Sequence, residues 1–362
     1  MNGTTKSILF LVPYPLGKAG SQRFRFEQYF AVLKDNNIAF STHSFWSEKT
    51  WNVLYKKGHF IEKGWGFLSG FFRSFTILFR LKRHSFVFIH REIIPLGPPL
   101  MEWIIARVFH KKIIYDFDDA IWLPNTSRQN RIISKLKWHV KVGQICRWSH
   151  RISCGNDFLA AYVRSFNEHV VVNPSTIDTT HHVPPESKTQ EANLITLGWT
   201  GTHSTLHYLE ALEPVLQAIE KKFSGRVQLL VIADMPPALH LNSLLFKPWK
   251  KDSEIRDLRS IDIGLMPLTD DIWAQGKCGF KILQYMSLEI PSIASPVGVN
   301  PKIIEHGING FLCSSTEEWI QCIESLITSK SLRIKIGHAA RQKVISNYSV
   351  LSNASVFLSL FE

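Results

Sequence analysis

Residues 193–222 read NLITLGWTGTHSTLHYLEALEPVLQAIEKK. The first seven are apolar and β-branched enough for a buried strand. A Gly-Thr turn follows, and residues 205–222 then carry apolar side chains at helical spacing. A strand that feeds a helix through so short a turn is half of a βαβ unit, which needs a parallel neighbour. The alternation continues outward on both sides. Downstream, strands are expected at 227–233, 261–266 and 292–294, and helices at 252–259, 280–288, 301–305, 316–327 and 332–346. Upstream, strands are expected at 7–12, 39–45, 86–90, 112–117, 151–154 and 169–172, and helices at 21–35, 100–109, 127–148 and 157–166. Between the two series lies VPPESKTQEA, polar with paired prolines, a linker over 183–192. The expected fold class is α/β. Two doubly wound Rossmann-like domains, residues 1–182 and 193–345, face each other across a cleft. A helix within 346–362 ends the chain, its return to the first domain left open. In such sheets ligands bind beyond the carboxyl ends of the strands.

A chain of 362 residues is long enough for two such domains, and 45% hydrophobic with 20% charged residues excludes a disordered protein. The net charge of +12 is unevenly placed. Residues 1–175 hold 25 Lys and Arg against 11 Asp and Glu, whereas residues 176–362 hold 17 against 19. The first half therefore faces something anionic: a phospholipid surface, a nucleic acid or an acidic ligand. Residues 56–83, KKGHFIEKGWGFLSGFFRSFTILFRLKR, interleave aromatic and basic side chains. Two readings of this segment stand level. In one, Trp65, Phe67, Phe71, Phe72, Phe75 and Phe79 enter a membrane interface while Lys56, Lys57, Lys63, Arg73, Arg80, Lys82 and Arg83 meet lipid phosphates. In the other, an amphipathic helix packs on the core with its charges solvated. No zinc-finger, RNP or helix-turn-helix spacing supports a nucleic-acid partner. Five cysteines without CxxC spacing fit a reducing compartment. The longest apolar stretch, 64–81, is interrupted by Arg73 and Arg80, so no spanning helix is expected. The expectation is a cytoplasmic protein, with peripheral attachment at the inner face of the membrane left open.

Four constellations carry chemistry. In GWTGTHST (198–205), Gly201 lets a ligand approach the backbone, and Thr202, Ser204 and Thr205 cap the following helix or donate to phosphate oxygens. In GKCGFKILQYM (276–286), Lys277 and Lys281 share one face at a helix start, where cations oppose the macrodipole and a bound anion relieves the conflict. Gln284, a turn further on, can bond hydroxyls. In YDFDDAIW (115–122), Asp116, Asp118 and Asp119 gather at a strand end beside His90 and Arg91, as a general base, an electrostatic stabiliser or a metal site, or simply as partners for nearby cations. In GSQRFRFEQY (20–29), Gly20 and Ser21 start a helix after the first strand, and Arg23 and Arg25 contact a phosphate-bearing ligand unless Arg25 faces solvent.

These motifs carry a resemblance. GKCGFKILQYMSLEIPSIASPVGVNPKIIEHGINGFLC (276–313) resembles the donor-binding segment of retaining GT-B glycosyltransferases of the family 4 type (glycosyl transferases group 1). VNPSTIDTTHHVP (172–184) is similar to that family's hinge-proximal loop, and IHREIIPLGPPLMEW (89–103) with YDFDDAIW to its first-domain pattern. The resemblance implies transfer of a sugar from a UDP- or GDP-sugar to a glycan or lipid-linked acceptor hydroxyl with retained anomeric configuration. It implies a role in cell-surface polysaccharide, lipopolysaccharide or glycolipid synthesis, with no obligatory metal. It places the diphosphate on Gly201, Thr202 and Lys281, with Lys277 near. Asp118 falls at the first-domain catalytic position, with Asp119 and His90 as further catalytic candidates. Gly276 and Gln284 stand where the family often carries a Glu-x7-Glu pair. Gln284 keeps the ribose contact, and the sugar contact passes to Asp270–Asp271 or to the backbone near Cys278. Three alternatives remain: a GT-B-fold nucleotide-sugar epimerase, a non-catalytic membrane-binding relic of the fold, and a GT-A enzyme using Asp116 and Asp118 as a metal-binding pair.

Overall fold

The computed structural model describes residues 6–56, 58–124, 137–185 and 194–362. The chain divides into two compact units. One is built from residues up to Ser175 together with Asn353–Glu362, the other from Thr176–Ser352.

The first unit carries a parallel sheet ordered β2-β1-β3-β4-β5-β6. Its strands are β1 Ser7–Val12, β2 Ala39–Ser44, β3 Phe86–His90, β4 Lys112–Phe117, β5 Arg151–Cys154 and β6 Val170–Val172. Strands β1, β3 and β4 are almost wholly buried. A strand covered on both faces needs an unbroken apolar run, as FVFIH in β3 shows. The edge strand β2 is largely solvated, which suits its polar sequence AFSTHS. Phe10 and Phe88 meet at 4.9 Å between ring centroids. Residues 353–362 complete this core: Phe357 stacks on Tyr29 at 4.2 Å, and Phe361 lies edge-on to Phe86.

Several expected helices are shorter or broken. The one expected over 21–35 is a turn at Gly20–Arg23, a 3-10 turn at Glu27–Tyr29 and a helix at Phe30–Asp35. That expected over 100–109 starts as Leu100–Trp103 and widens into a π-turn at Ile104–Val108. Of the helix expected over 127–148, Lys141–Trp148 is observed, and 127–136 lie outside the described residues. The helix Glu48–Leu54, not anticipated, is capped by Ser47 Oγ, which accepts from Thr50 N at 3.2 Å.

The second unit carries a parallel sheet ordered β12-β11-β10-β7-β8-β9. The strands are β7 Ile195–Thr200, β8 Val227–Ala233, β9 Leu244–Pro248, β10 Ile263–Met266, β11 Ser292–Ala294 and β12 Phe311–Leu312. The order reverses between β7 and β10, which pair through Leu197 with Ile263 and Gly198 with Gly264. Both glycines are there for close packing. A Cβ on Gly198 would sit 2.3 Å from Ile261 Cγ1, and one on Gly264 2.4 Å from the Tyr285 ring. Buried Tyr285 accepts a hydrogen bond from Thr200 N at 2.9 Å, tying the helix Phe280–Ser287 to the end of β7. Gly264→Ala is therefore expected to destabilise by about 1–3 kcal/mol through overpacking, read as a lower denaturation midpoint at unchanged slope.

Residues 176–182, assigned by sequence to the first domain, belong to the second unit. Ile177 N donates to Tyr348 O at 2.9 Å, and Arg341 Nη1 donates to His182 O at 2.8 Å. Of the linker expected over 183–192, residues 186–192 lie outside the described residues. No helix among the described residues is long and apolar enough to cross a membrane.

Candidate functional site

Two of the four constellations meet in the second unit, at the carboxyl ends of the strands flanking the reversal of order. Trp199, the penultimate residue of β7, is fully buried. Lys281, in the first turn of the Phe280–Ser287 helix, places Nζ 4.1 Å from the centroid of its ring. Lys277 Nζ stands 5.9 Å from the ring of Tyr208, in the helix Leu206–Glu210. Each lysine expected to share a helix face thus rests near an aromatic π-face supplied by the strand–turn–helix unit. Trp199 Nε1 has no hydrogen-bond partner among the described residues, so this indole is held for its face and bulk rather than its N–H.

Gly201 has a reason the sequence reading did not give. A Cβ there would fall 2.3 Å from Trp199 Cη2, so the glycine makes room for the indole that supports Lys281. Gly279, which caps the Phe280–Ser287 helix at φ +68°, is fixed twice over, by that left-handed conformation and by Ile303 Cδ1 at 2.2 Å from its would-be Cβ.

The electrostatics of Lys281 are those of an unneutralised cation. Burial pushes its pKa well below the ordinary lysine value, and the positive charge of Lys277 pushes it further the same way. No carboxylate among the described residues lies within ion-pair distance of it. Such a pair of ammonium groups is relieved by an anion.

The turn before them is less open than expected. Gly201 N donates to Ile232 O at 3.1 Å, and Thr202 N to Thr205 Oγ1 at 3.3 Å. Thr202 Oγ1 is hydrogen-bonded to Ser204 Oγ at 2.8 Å. His203 N donates to Asp234 Oδ1 at 2.6 Å, so a carboxylate already sits on one of the turn's amides. The turn expected to receive the diphosphate at Gly201 and Thr202 thus has its polar groups engaged within the protein. Gln284, expected at the ribose, is enclosed. It lies on the inward side of its helix, 2% exposed, and its Nε2 donates to Glu254 Oε1 at 3.3 Å. That carboxylate also accepts from Trp249 Nε1 at 3.2 Å, so Glu254 is shared by the Gln284 amide and the indole. Asp271 caps the short helix Ile272–Gln275, accepting from Ala274 N at 2.8 Å, and Asp270 accepts from Gln275 Nε2.

In the first unit the acidic cluster splits in two. Asp116, at the end of β4, is fully buried. Its Oδ1 accepts from Arg25 Nη2 at 2.5 Å and from Ser153 Oγ at 2.6 Å, and its Oδ2 lies 2.8 Å from His90 Nδ1. Arg25 also donates to Asn173 O. Burial raises the Asp116 pKa, but Arg25 and then His90 outweigh it and hold the carboxyl well below the usual range. His90, expected as a catalytic candidate, is fully enclosed in this network and meets no solvent. Arg25, left between a ligand and solvent, is the centre of the network, linking β4, β5 and the residue after β6. Asp118 and Asp119 are partly exposed and share Arg91: Arg91 Nη2 donates to Asp118 Oδ1 at 2.7 Å and to Asp119 Oδ2 at 2.6 Å. Arg91 adopts φ +60°, held by Tyr115 Oη donating to its carbonyl at 2.7 Å. Gly20 and Ser21 begin a single helical turn, Gly20–Arg23, rather than the long helix expected. No cluster of three or more His, Cys, Asp or Glu suited to a metal occurs among the described residues.

Residues 195–329, which include both lysines, match the family model described as Glycosyl transferases group 1. A 68-residue stretch is 37% identical to Glycosyltransferase 1 domain-containing protein 1 of Xenopus tropicalis, covering 19% of this chain and about a fifth of that protein. Among solved structures, the sucrose-phosphate synthase of Thermosynechococcus elongatus superposes with a TM-score of 0.69 at 11% identity, covering 99% of this chain and 98% of that one. A glycosyltransferase of Rickettsia africae gives 0.67 at 15%, with the same coverage. Anabaena HepE, solved with UDP and glucose, gives 0.65 at 13%, covering 98% of each chain. With two six-stranded parallel sheets, the chain has the two-domain, Rossmann-like GT-B fold.

Proposed function

We propose that this chain is a glycosyltransferase that moves a sugar from a nucleoside-diphosphate donor to an acceptor hydroxyl, with the anomeric configuration retained. The observation that carries the reading is Lys281, an ammonium group seated on the Trp199 face at the strand-order reversal with no carboxylate partner among the described residues. In sugar transfer, negative charge builds on the departing diphosphate. A fixed, desolvated cation aimed at that charge is the device such a step needs. Lys277 adds to the same field. HepE has been solved with UDP and with UDP-glucose, which supports a nucleotide-sugar on this scaffold; UDP and GDP are both donors to try here. Asp118, fixed by Arg91 in the first unit, is the residue to examine for stabilising positive charge on the sugar or orienting the acceptor. The acceptor class proposed is a glycan or lipid-linked glycan of the cell surface.

The test is calorimetry with UDP and GDP, then product analysis with a panel of nucleotide-sugars, the anomeric coupling read by NMR. Binding of one diphosphate in the micromolar range and a product of unchanged anomeric configuration are expected. Folded protein that binds neither nucleotide overturns the reading.

A pH dependence follows from Lys281. Its pKa is lowered in the free protein, and a bound diphosphate favours the charged form and raises it again. Binding therefore takes up a proton between the two values. Nucleotide affinity is expected to be greatest on the acid side of the free-protein pKa and to fall by up to about tenfold per pH unit above it. Lys281→Arg, which stays charged, removes the slope. Calorimetry in buffers of different ionisation enthalpy measures the uptake.

A further inference from the structure

The helix Phe60–Thr76 and the 3-10 segment Ile77–Arg83 are built inside out. A surface helix normally buries its large apolar residues and exposes small and polar ones. Here the buried stripe is Gly66, Gly70 and Ser74, continued by Ile77 and Leu81. The small residues are required: a Cβ on Gly66 would lie 2.4 Å from Thr50 Cγ2, and one on Gly70 2.7 Å from Phe45 O. The opposite stripe, at helical spacing, is Ile61, Trp65, Leu68 and Phe72, with Phe79 beyond. Ile61 is 86% exposed, Trp65 73%, Phe72 68% and Phe79 88%. A monomeric soluble protein rarely shows so large a contiguous apolar ridge.

Around this ridge positive charge predominates. Lys56, Arg80, Lys82 and Arg83 are exposed, and Glu62 is the only acidic residue in 56–83. Of the remaining cations, Arg73 turns inward and donates to Ser44 O and Phe45 O. The segment belongs to the half of the chain that holds all the excess positive charge.

We infer that this face lies in the surface of an anionic phospholipid bilayer. The aromatic ridge enters the headgroup region, and Arg80, Lys82 and Arg83 meet lipid phosphates. Charge selects this occupant over a second copy of the chain, because a self-complementary contact would set basic residues against basic residues. The helix, about 25 Å long at 1.5 Å per residue, lies in the membrane plane. Trp and Phe at the level of the headgroups are the residues that favour that depth. The inference does not depend on the function proposed above, since none of these residues belongs to the Lys281 site.

The experiment is co-sedimentation of the full chain with vesicles of phosphatidylcholine alone and of phosphatidylcholine mixed with phosphatidylglycerol. Binding to the mixed vesicles is expected to be at least about tenfold tighter and to weaken as salt is added. Two triple variants change exposed side chains only, Trp65→Ser with Phe72→Ser and Phe79→Ser, and Arg80→Glu with Lys82→Glu and Arg83→Glu. Each is expected to melt with the parent and to lose at least about tenfold in binding to the anionic vesicles. As a second measurement, brominated lipid is expected to quench tryptophan fluorescence in the parent and much less in Trp65→Phe, which still binds. Equal partition to both vesicle types overturns the inference, as does undiminished binding by either triple variant. A concentration-dependent dimer without vesicle binding overturns it too and assigns the ridge to self-association.

Discussion

Lys281→Met is expected to slow sugar transfer by roughly 10²- to 10³-fold, weaken nucleoside-diphosphate binding by at least about tenfold, and leave the melting temperature unchanged or higher. The last part is the distinctive one. Most half-buried lysines are neutralised by a carboxylate, and removing one strands its partner. Lys281 has no such partner among the described residues, and Lys277 stands near enough to repel it. The π-face of Trp199 offsets only part of that burden, about 0.5–2 kcal/mol. A neutral side chain of similar length keeps the packing and removes the desolvated charge, so stability is retained while the anion loses its cation. A lysine whose removal harms both stability and turnover would be structural. Steady-state rates, UDP and GDP titrations and thermal melts on one preparation separate the two.

The second large effect is expected at Asp116→Asn, a loss of about 3–5 kcal/mol from the first unit. Asn fits the same space but carries no charge, so the buried Arg25 guanidinium loses the carboxylate it shares with His90. The sign with pH follows from the direction of the shift. A carboxyl held below its ordinary pKa contributes stability that is present above about pH 4 and lost as the pH falls below it. Acid unfolding of the parent is therefore expected to steepen below that point, and the Asn variant lacks this component. Arg25→Met combined with Asp116→Leu is expected to cost less than the sum of the single changes, because neither charge is then left alone. Thermal melts of the four proteins complete the cycle.

The central strands were legible because two-sided burial leaves a mark in the sequence: SILFLV and VQLLVIA have no other economical reading. Strands β9 and β12 were not. The first lies at an edge, mostly solvated and ending in Pro248, and the second has two residues, so neither carries the apolar run that identifies a strand. In the site, Lys277 and Lys281 stood out by their spacing, but the helix begins only at Phe280, so they do not share a helix face. Their aromatic seats were not legible, since Trp199 and Tyr208 lie 82 and 69 residues earlier in the chain. The structural role of Arg25 was hidden for the same reason. Its partners Asp116, Ser153 and Asn173 lie on separate strand ends, and an arginine in a helical pattern reads as solvated until those ends converge. The inward face of the Phe60–Thr76 helix was undecided because phenylalanine occurs all round it. The signal that identifies it is small residues at 66, 70 and 74, four apart, where one element rests on another.

Residues 353–362 have a consequence for how this protein is made. Phe357 and Phe361 close over Tyr29, Phe86 and Phe88, yet a ribosome releases them only after the entire second unit has been synthesised. The second unit is contiguous and can mature as it emerges, while the first waits unfinished with aromatic surface uncovered. A nonsense codon just after Ser352 would therefore spare the later-made lobe and condemn the earlier one to chaperones or aggregation.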